Sequence, residues 1–303
     1  MNNLLPLAQR EWLQHRFGWS LLVLVPLALA LLVAGAANIQ IDAESVDKAG
    51  ADLPTLAAAI TMLAATVVSF AVAWILSLFI ATGIARRDDT DRSIEFWLSL
   101  PISHSASLGV PLGVHLLLVP AAALLIGLGS GLLLSMVTVT RLAGFEAWLA
   151  MPWPLLLSAA LSVLARLLLG LPLATLWLLP LLLLLVLARA WIGRWGTPVT
   201  LLALSLGAPA LGRMGLPQVP QALRDMLLNA VAALATTPGQ GLHIDSGAEG
   251  VVALAKLPML AWQGAIQALQ DLASPLFALS LLMSAGLFAL LVQWRQRGAS
   301  RGI

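Results

Sequence analysis

The sequence predicts an all-α protein that crosses a membrane several times, on three grounds: composition, the length of its apolar runs, and the placement of arginine. Of 303 residues, 60% are hydrophobic and only 10% charged. A water-soluble globule carries about 25% charged residues, so lipid is the fitting solvent. A net charge of +2 is too small to point to nucleic acid. With no cysteine, disulfides, thiol catalysis and thiolate metal sites are excluded. Tyr is absent too, while eleven Trp supply rings suited to membrane interfaces.

A helix needs about 20 apolar residues to cross a hydrocarbon core of about 30 Å. Six runs meet that length: Phe17–Ala37, Leu56–Ala85, Leu108–Met136, Leu171–Ala190, Thr197–Gly215 and Pro275–Trp294. Ahead of the first, MNNLLPLAQREWLQHR reads as a retained lead-in helix. Leu5, Ala8 and Trp12 share one face of it, and Glu11 and His15 interrupt the neighbouring face. Six spans place both chain ends on one side, with Arg10, Arg16, Arg86, Arg87, Arg92, Arg189, Arg194, Arg295, Arg297 and Arg301. The other side receives Lys48, Arg141, Arg213, Arg224 and Lys256. The arginine-rich side is therefore assigned to the cytoplasm.

The apolar sequence from Trp153 to Ala190 is too long for one crossing. Gly170 and Pro172 interrupt it, which predicts an interfacial or re-entrant helix over 153–169 and a span from Leu171. Ser158, Ser162 and Arg166, spaced by four, form one polar stripe on that first piece. Between the last two spans, residues 216–274 predict two extracytoplasmic helices, Gln221–Ala235 and Val251–Leu272, around the turn-rich TTPGQGLHIDSGAEG. The whole chain, 1–303, reads as one transmembrane domain without internal repeats.

The most polar stretch is RRDDTDRSIEFWLSLPISHS, between the second and third spans on the cytoplasmic side. Asp88, Asp89, Thr90 and Asp91 suit a helix start, and Pro101 suits its stop. Between them Ile94, Trp97 and Leu98 share one face, with Arg92, Glu95 and Ser99 on the opposite arc. SHSAS then starts the next helix. Such a helix suits adhesion to the bilayer and docking of a cytoplasmic partner about equally, since its acidic groups oppose an anionic leaflet.

Catalytic signatures are missing. No G-x-x-x-x-G-K-[ST] occurs, so the chain lacks a P-loop for ATP. The six spans hold no Asp or Glu near their middles, which weighs against a gradient-driven carrier. His115 reads as a packing residue inside the third span, and His15, His104 and His243 have no metal-ligand spacing. Gly129, Ser130 and Gly131 read as a small-residue helix contact. Pro26, Pro111, Pro120, Pro180 and Pro209 mark expected bends.

The run RRDDTDRSIEFWLSLPIS resembles the loop between the second and third spans of type-2 ABC exporter permeases. There, charged residues lead into a W-x-SLP-[IV]-S pattern, matched here by Arg92, Ser93, Glu95, Trp97, Ser99, Leu100, Pro101, Ile102 and Ser103. LPLLLLLVLARAWIGRWGTPV is similar to the family's fourth span, with Gly193 and Trp195 at positions expected to be basic. The lead-in REW and the six-span plan extend the likeness over nearly the whole chain. The resemblance implies a non-enzymatic permease in a bacterial inner membrane, paired with a second permease copy and with cytoplasmic ABC ATPase subunits. ATP and Mg would be held by those ATPases, and no cofactor or metal by this chain. It further implies that residues 89–100 form a coupling helix, with Asp91, Arg92, Ile94, Glu95, Trp97, Leu98 and Ser99 as the ATPase-docking residues. The other function classes are a gradient-driven secondary transporter and a non-transporting membrane anchor.

Overall fold

The protein, in a computed structural model, is described over residues 4–36, 53–90, 103–235 and 247–301. It is built of helices: α1 Leu4–Ala36, α2 Leu53–Thr90, α3 His104–Gly113, α4 Val119–Ala143, α5 Phe145–Leu149 and α6 Trp153–Ile192. These are followed by α7 Gly196–Arg213, α8 Gln218–Leu234, α9 Gly247–Gln270 and α10 Pro275–Arg301. Among the described residues four helical stretches are long and apolar enough to cross a membrane: Leu53–Arg86, His104–Ala143, Trp153–Arg213 and Pro275–Arg297. The surface agrees with that environment. Phe79, Leu202, Leu206 and Leu282 all point outward, which in water would be a large uncompensated apolar area.

Helix α6 is the axis of the fold, with α2, α7, α8, α9 and α10 packed along it. It runs unbroken for 40 residues, about 60 Å. This corrects the expected break at Gly170 and Pro172. Pro172 and Pro180 both lie inside the helix, because neighbouring helices hold the chain helical where a lone span would bend. Here α8 and α9 lie against α6, and much of its surface is buried in protein.

Gly170 is a notch for a neighbour. A Cβ there would fall 2.1 Å from the carbonyl oxygen of Ala233, at the end of α8. The two helices after α7 are close to the predicted boundaries, and the loop 236–246 lies outside the described residues.

Two further expectations are corrected. The lead-in segment is continuous with the first apolar run, forming one helix of 33 residues. Along it Leu7 and Glu11 are buried, whereas Trp12 is 56% exposed. Helix α2 continues through Asp88, Asp89 and Thr90, where a new helix was expected to start. Extending an existing helix by a turn fixes one residue per hydrogen bond, which is cheaper than nucleating another.

The small-residue contact lies between α2 and α4. Gly127 and Gly131 each bring backbone to backbone, and a Cβ at Gly131 would stand 2.7 Å from the Met62 Cα. Gly129 faces open space. The G-x-x-x-G spacing of the two contacting glycines puts both on one helical face.

Candidate functional site

The predicted docking residues Asp91, Arg92, Ile94, Glu95, Trp97, Leu98 and Ser99 lie outside the described residues. Their two anchor points are described. On the far side, Ser103 is the N-cap of α3, its Oγ accepting the Ala106 N–H at 3.2 Å. This is the helix start that SHSAS predicts.

On the near side, α2 is cross-braced to the end of α6. Arg86 Nε donates to the Ala190 carbonyl at 3.1 Å, and Arg189 Nη1 donates to Thr82 Oγ1 at 3.0 Å. Each guanidinium lies over a glycine of the opposite helix. A Cβ on Gly193 would meet Arg86 Nη1 at 2.8 Å, and one on Gly83 would meet the Arg189 guanidinium carbon at 3.4 Å. Gly193 also has φ +81°, a conformation that side chains with a Cβ disfavour, and it turns α6 towards α7. Exposed Trp191, Ile192 and Trp195 surround that turn, and Arg194 stacks on Trp195 at 5.7 Å. Trp beside Arg is the composition of a membrane–water boundary. In the sequence these arginines counted only as topology signals.

A second polar cluster joins the start of the chain to its middle. His115 sits in a π-helical turn, Val114–Leu118, between α3 and α4. The Val119 N–H reaches back to the Val114 carbonyl, directly before Pro120, which has no N–H to give. The wide turn adds a residue to the helix and resets which side chain faces α1. His115 Nε2 lies 3.2 Å from Glu11 Oε2, and both side chains are essentially fully buried. His15, four residues along α1, has its ring centroid 5.0 Å from that of His115. Trp19 packs edge-on to His115 at 5.6 Å and stacks with His15. His115 is thus enclosed between helices, with the Glu11 carboxylate as its partner.

Beside this cluster is a cavity of about 530 Å³ between α1 and α4. Trp12, Trp19, Val114, Leu118 and Ile126 give it an almost wholly apolar wall. Its size suits a hydrocarbon chain or a small amphiphile.

Arg166 serves structure instead of an interface. It is 5% exposed, and its guanidinium donates to the carbonyls of Ala233, Ala232 (2.9 Å) and Ala235 (3.5 Å). Those carbonyls end α8, so Arg166 caps that helix from a neighbour and meets the negative end of its dipole. Ser158 and Ser162 turn back onto the carbonyls of Leu155 and Ala159 on their own helix. The polar stripe is therefore one interhelical cap preceded by two self-satisfied serines.

Set against models of known protein families, curated proteins and solved structures, the chain has no match.

Proposed function

We propose that this chain is the permease subunit of an ATP-driven ABC-type exporter in a bacterial inner membrane. It has six spans, both ends in the cytoplasm, a coupling helix within 91–100 and extracytoplasmic helices within 216–274. The observation that carries the reading is the double arginine brace. It fixes the end of α2, and so the start of the polar stretch, to the end of the central helix. A push on residues 91–102 by a cytoplasmic ATPase is then transmitted into α6 and the helices packed on it. Relative movement of packed rigid helices is an established route for such coupling. A second permease copy completes the pathway, and the apolar cavity beside α1 favours an amphiphilic or lipid-like cargo.

The test is co-purification from the native membrane with a P-loop ATPase, followed by the double variant Trp97→Ala, Glu95→Ala. Loss of an aromatic anchor and a charge from one short docking helix is expected to abolish cargo-stimulated ATP hydrolysis. Unchanged stimulation removes the docking assignment.

One observation favours a gradient-driven carrier as the second reading. The Glu11–His115 pair is a buried ionisable couple of the kind that relays protons. Transport that collapses with an uncoupler while ATP is held constant selects that reading. A non-transporting membrane anchor predicts no cargo movement under either energy source.

A further inference from the structure

We infer that Glu11, His15 and His115 form a binding site for a divalent transition-metal ion of the zinc class. The inference stands on the geometry of the cluster and is independent of any ATPase partner. One ligand atom from each of the three residues lies within 4.8 Å of the other two. Around a tetrahedral ion with bonds of about 2.0–2.2 Å, ligand atoms stand about 3.3–3.6 Å apart. The Glu11–His115 separation of 3.2 Å is already at that scale, and side-chain rotations of about 1 Å bring in the third.

The chemistry of the donor set points the same way. Two imidazoles and one carboxylate are the ligands of His₂Glu zinc sites, which leave a fourth position for water or another donor. Neutral imidazole beside carboxylate suits zinc, cobalt, nickel or copper better than magnesium or calcium, which take all-oxygen shells.

Burial keeps competing water away from the donors: the Glu11 and His115 side chains are essentially fully enclosed. The His115 ring is fully enclosed, and its Nδ1 has no hydrogen-bond partner. The ion takes Nε2, the ring nitrogen that faces the Glu11 carboxylate. The site is also built from two rigid elements, because Glu11 and His15 share one face of α1 and the π-helical turn holds His115 opposite. Aromatic rings of Trp12 and Trp19 shield it on the side of the cavity.

The test uses the full-length chain, purified without a histidine tag in detergent, stripped with chelator and titrated with Zn²⁺ alone by calorimetry. About one ion per chain is expected to bind. Glu11→Gln and His15→Ala are each expected to weaken it by about tenfold or more. His104→Ala, outside the cluster, is expected to bind as the unaltered chain does. Because a variant in α1 can misfold, the unaltered chain is also loaded with Co²⁺, where strong visible absorption reports a low-coordinate nitrogen and oxygen shell. Absence of that absorption overturns the site. So does zinc binding unchanged in folded Glu11→Gln and His15→Ala proteins, and so does no zinc binding at all.

Discussion

Arg166→Met is expected to lower the stability of the folded protein by about 2–4 kcal/mol, measured as denaturant- or heat-induced unfolding in detergent. The Ala232, Ala233 and Ala235 carbonyls all accept from this one guanidinium. Methionine fills similar volume, so the experiment isolates the polar loss from packing. Hydrogen bonds inside membrane proteins average well below their vacuum strength, and the upper end of the range needs the dipole contribution of α8 as well. Arg166→Lys should recover part of the loss, because a single ammonium reaches fewer carbonyls than a planar fork. Stability equal to the unaltered protein in Arg166→Met would show that α8 is held by its apolar face alone.

Leu in place of both Gly127 and Gly131 is expected to have a still larger effect, preventing the folded state from accumulating. The atoms a Cβ would strike are backbone: the Met62 Cα and carbonyl oxygen at 2.7 and 2.8 Å, and the Thr66 Cα at 2.9 Å. A side chain could rotate away, whereas a helix backbone must translate. Overpacking of this type costs about 1–3 kcal/mol per site even where neighbours adjust. Close approach of the two helices also brings the dispersion contacts that drive association in lipid, and these are lost together. Gly129→Leu is the internal control, since nothing lies within 4 Å of its Cβ position. A monodisperse, heat-stable protein from Gly129→Leu, with aggregated protein from the double variant, is the expected pair of results on size-exclusion chromatography. Equal behaviour of the two would remove the α2–α4 contact from the account.

How much was legible in the sequence depends on distance along the chain. The boundaries of α8 and α9 follow from local composition and turn residues, and the structure places them within a few residues of where they are expected. Ser103 as a helix cap was legible for the same reason. Gly170 and Pro172 read as a break because a glycine breaking a helix and a glycine admitting a neighbour look alike in one dimension. Only the Ala233 carbonyl, 63 residues away in sequence, distinguishes them.

The polar cluster was half legible. Glu11 and His15 stand four apart on one helix, a spacing that puts them on a single face. In the sequence alone that face reads as a polar interruption, since His115, 104 residues on, carries no mark that pairs it with them. The brace between Arg86 and Arg189 was hidden for a related reason. Arginines near helix ends satisfy the topology rule whether or not they touch each other's helices.

Orientation of the polar stretch between α2 and α3 decides the proposed mechanism most directly. The chain has no cysteine, so Ser99→Cys introduces a single thiol with no background. A membrane-impermeant maleimide applied to intact cells should leave that thiol unmodified, and the same reagent should label it in inverted membrane vesicles. Modification from outside intact cells would put residues 91–102 on the wrong face for any cytoplasmic motor and contradict the account.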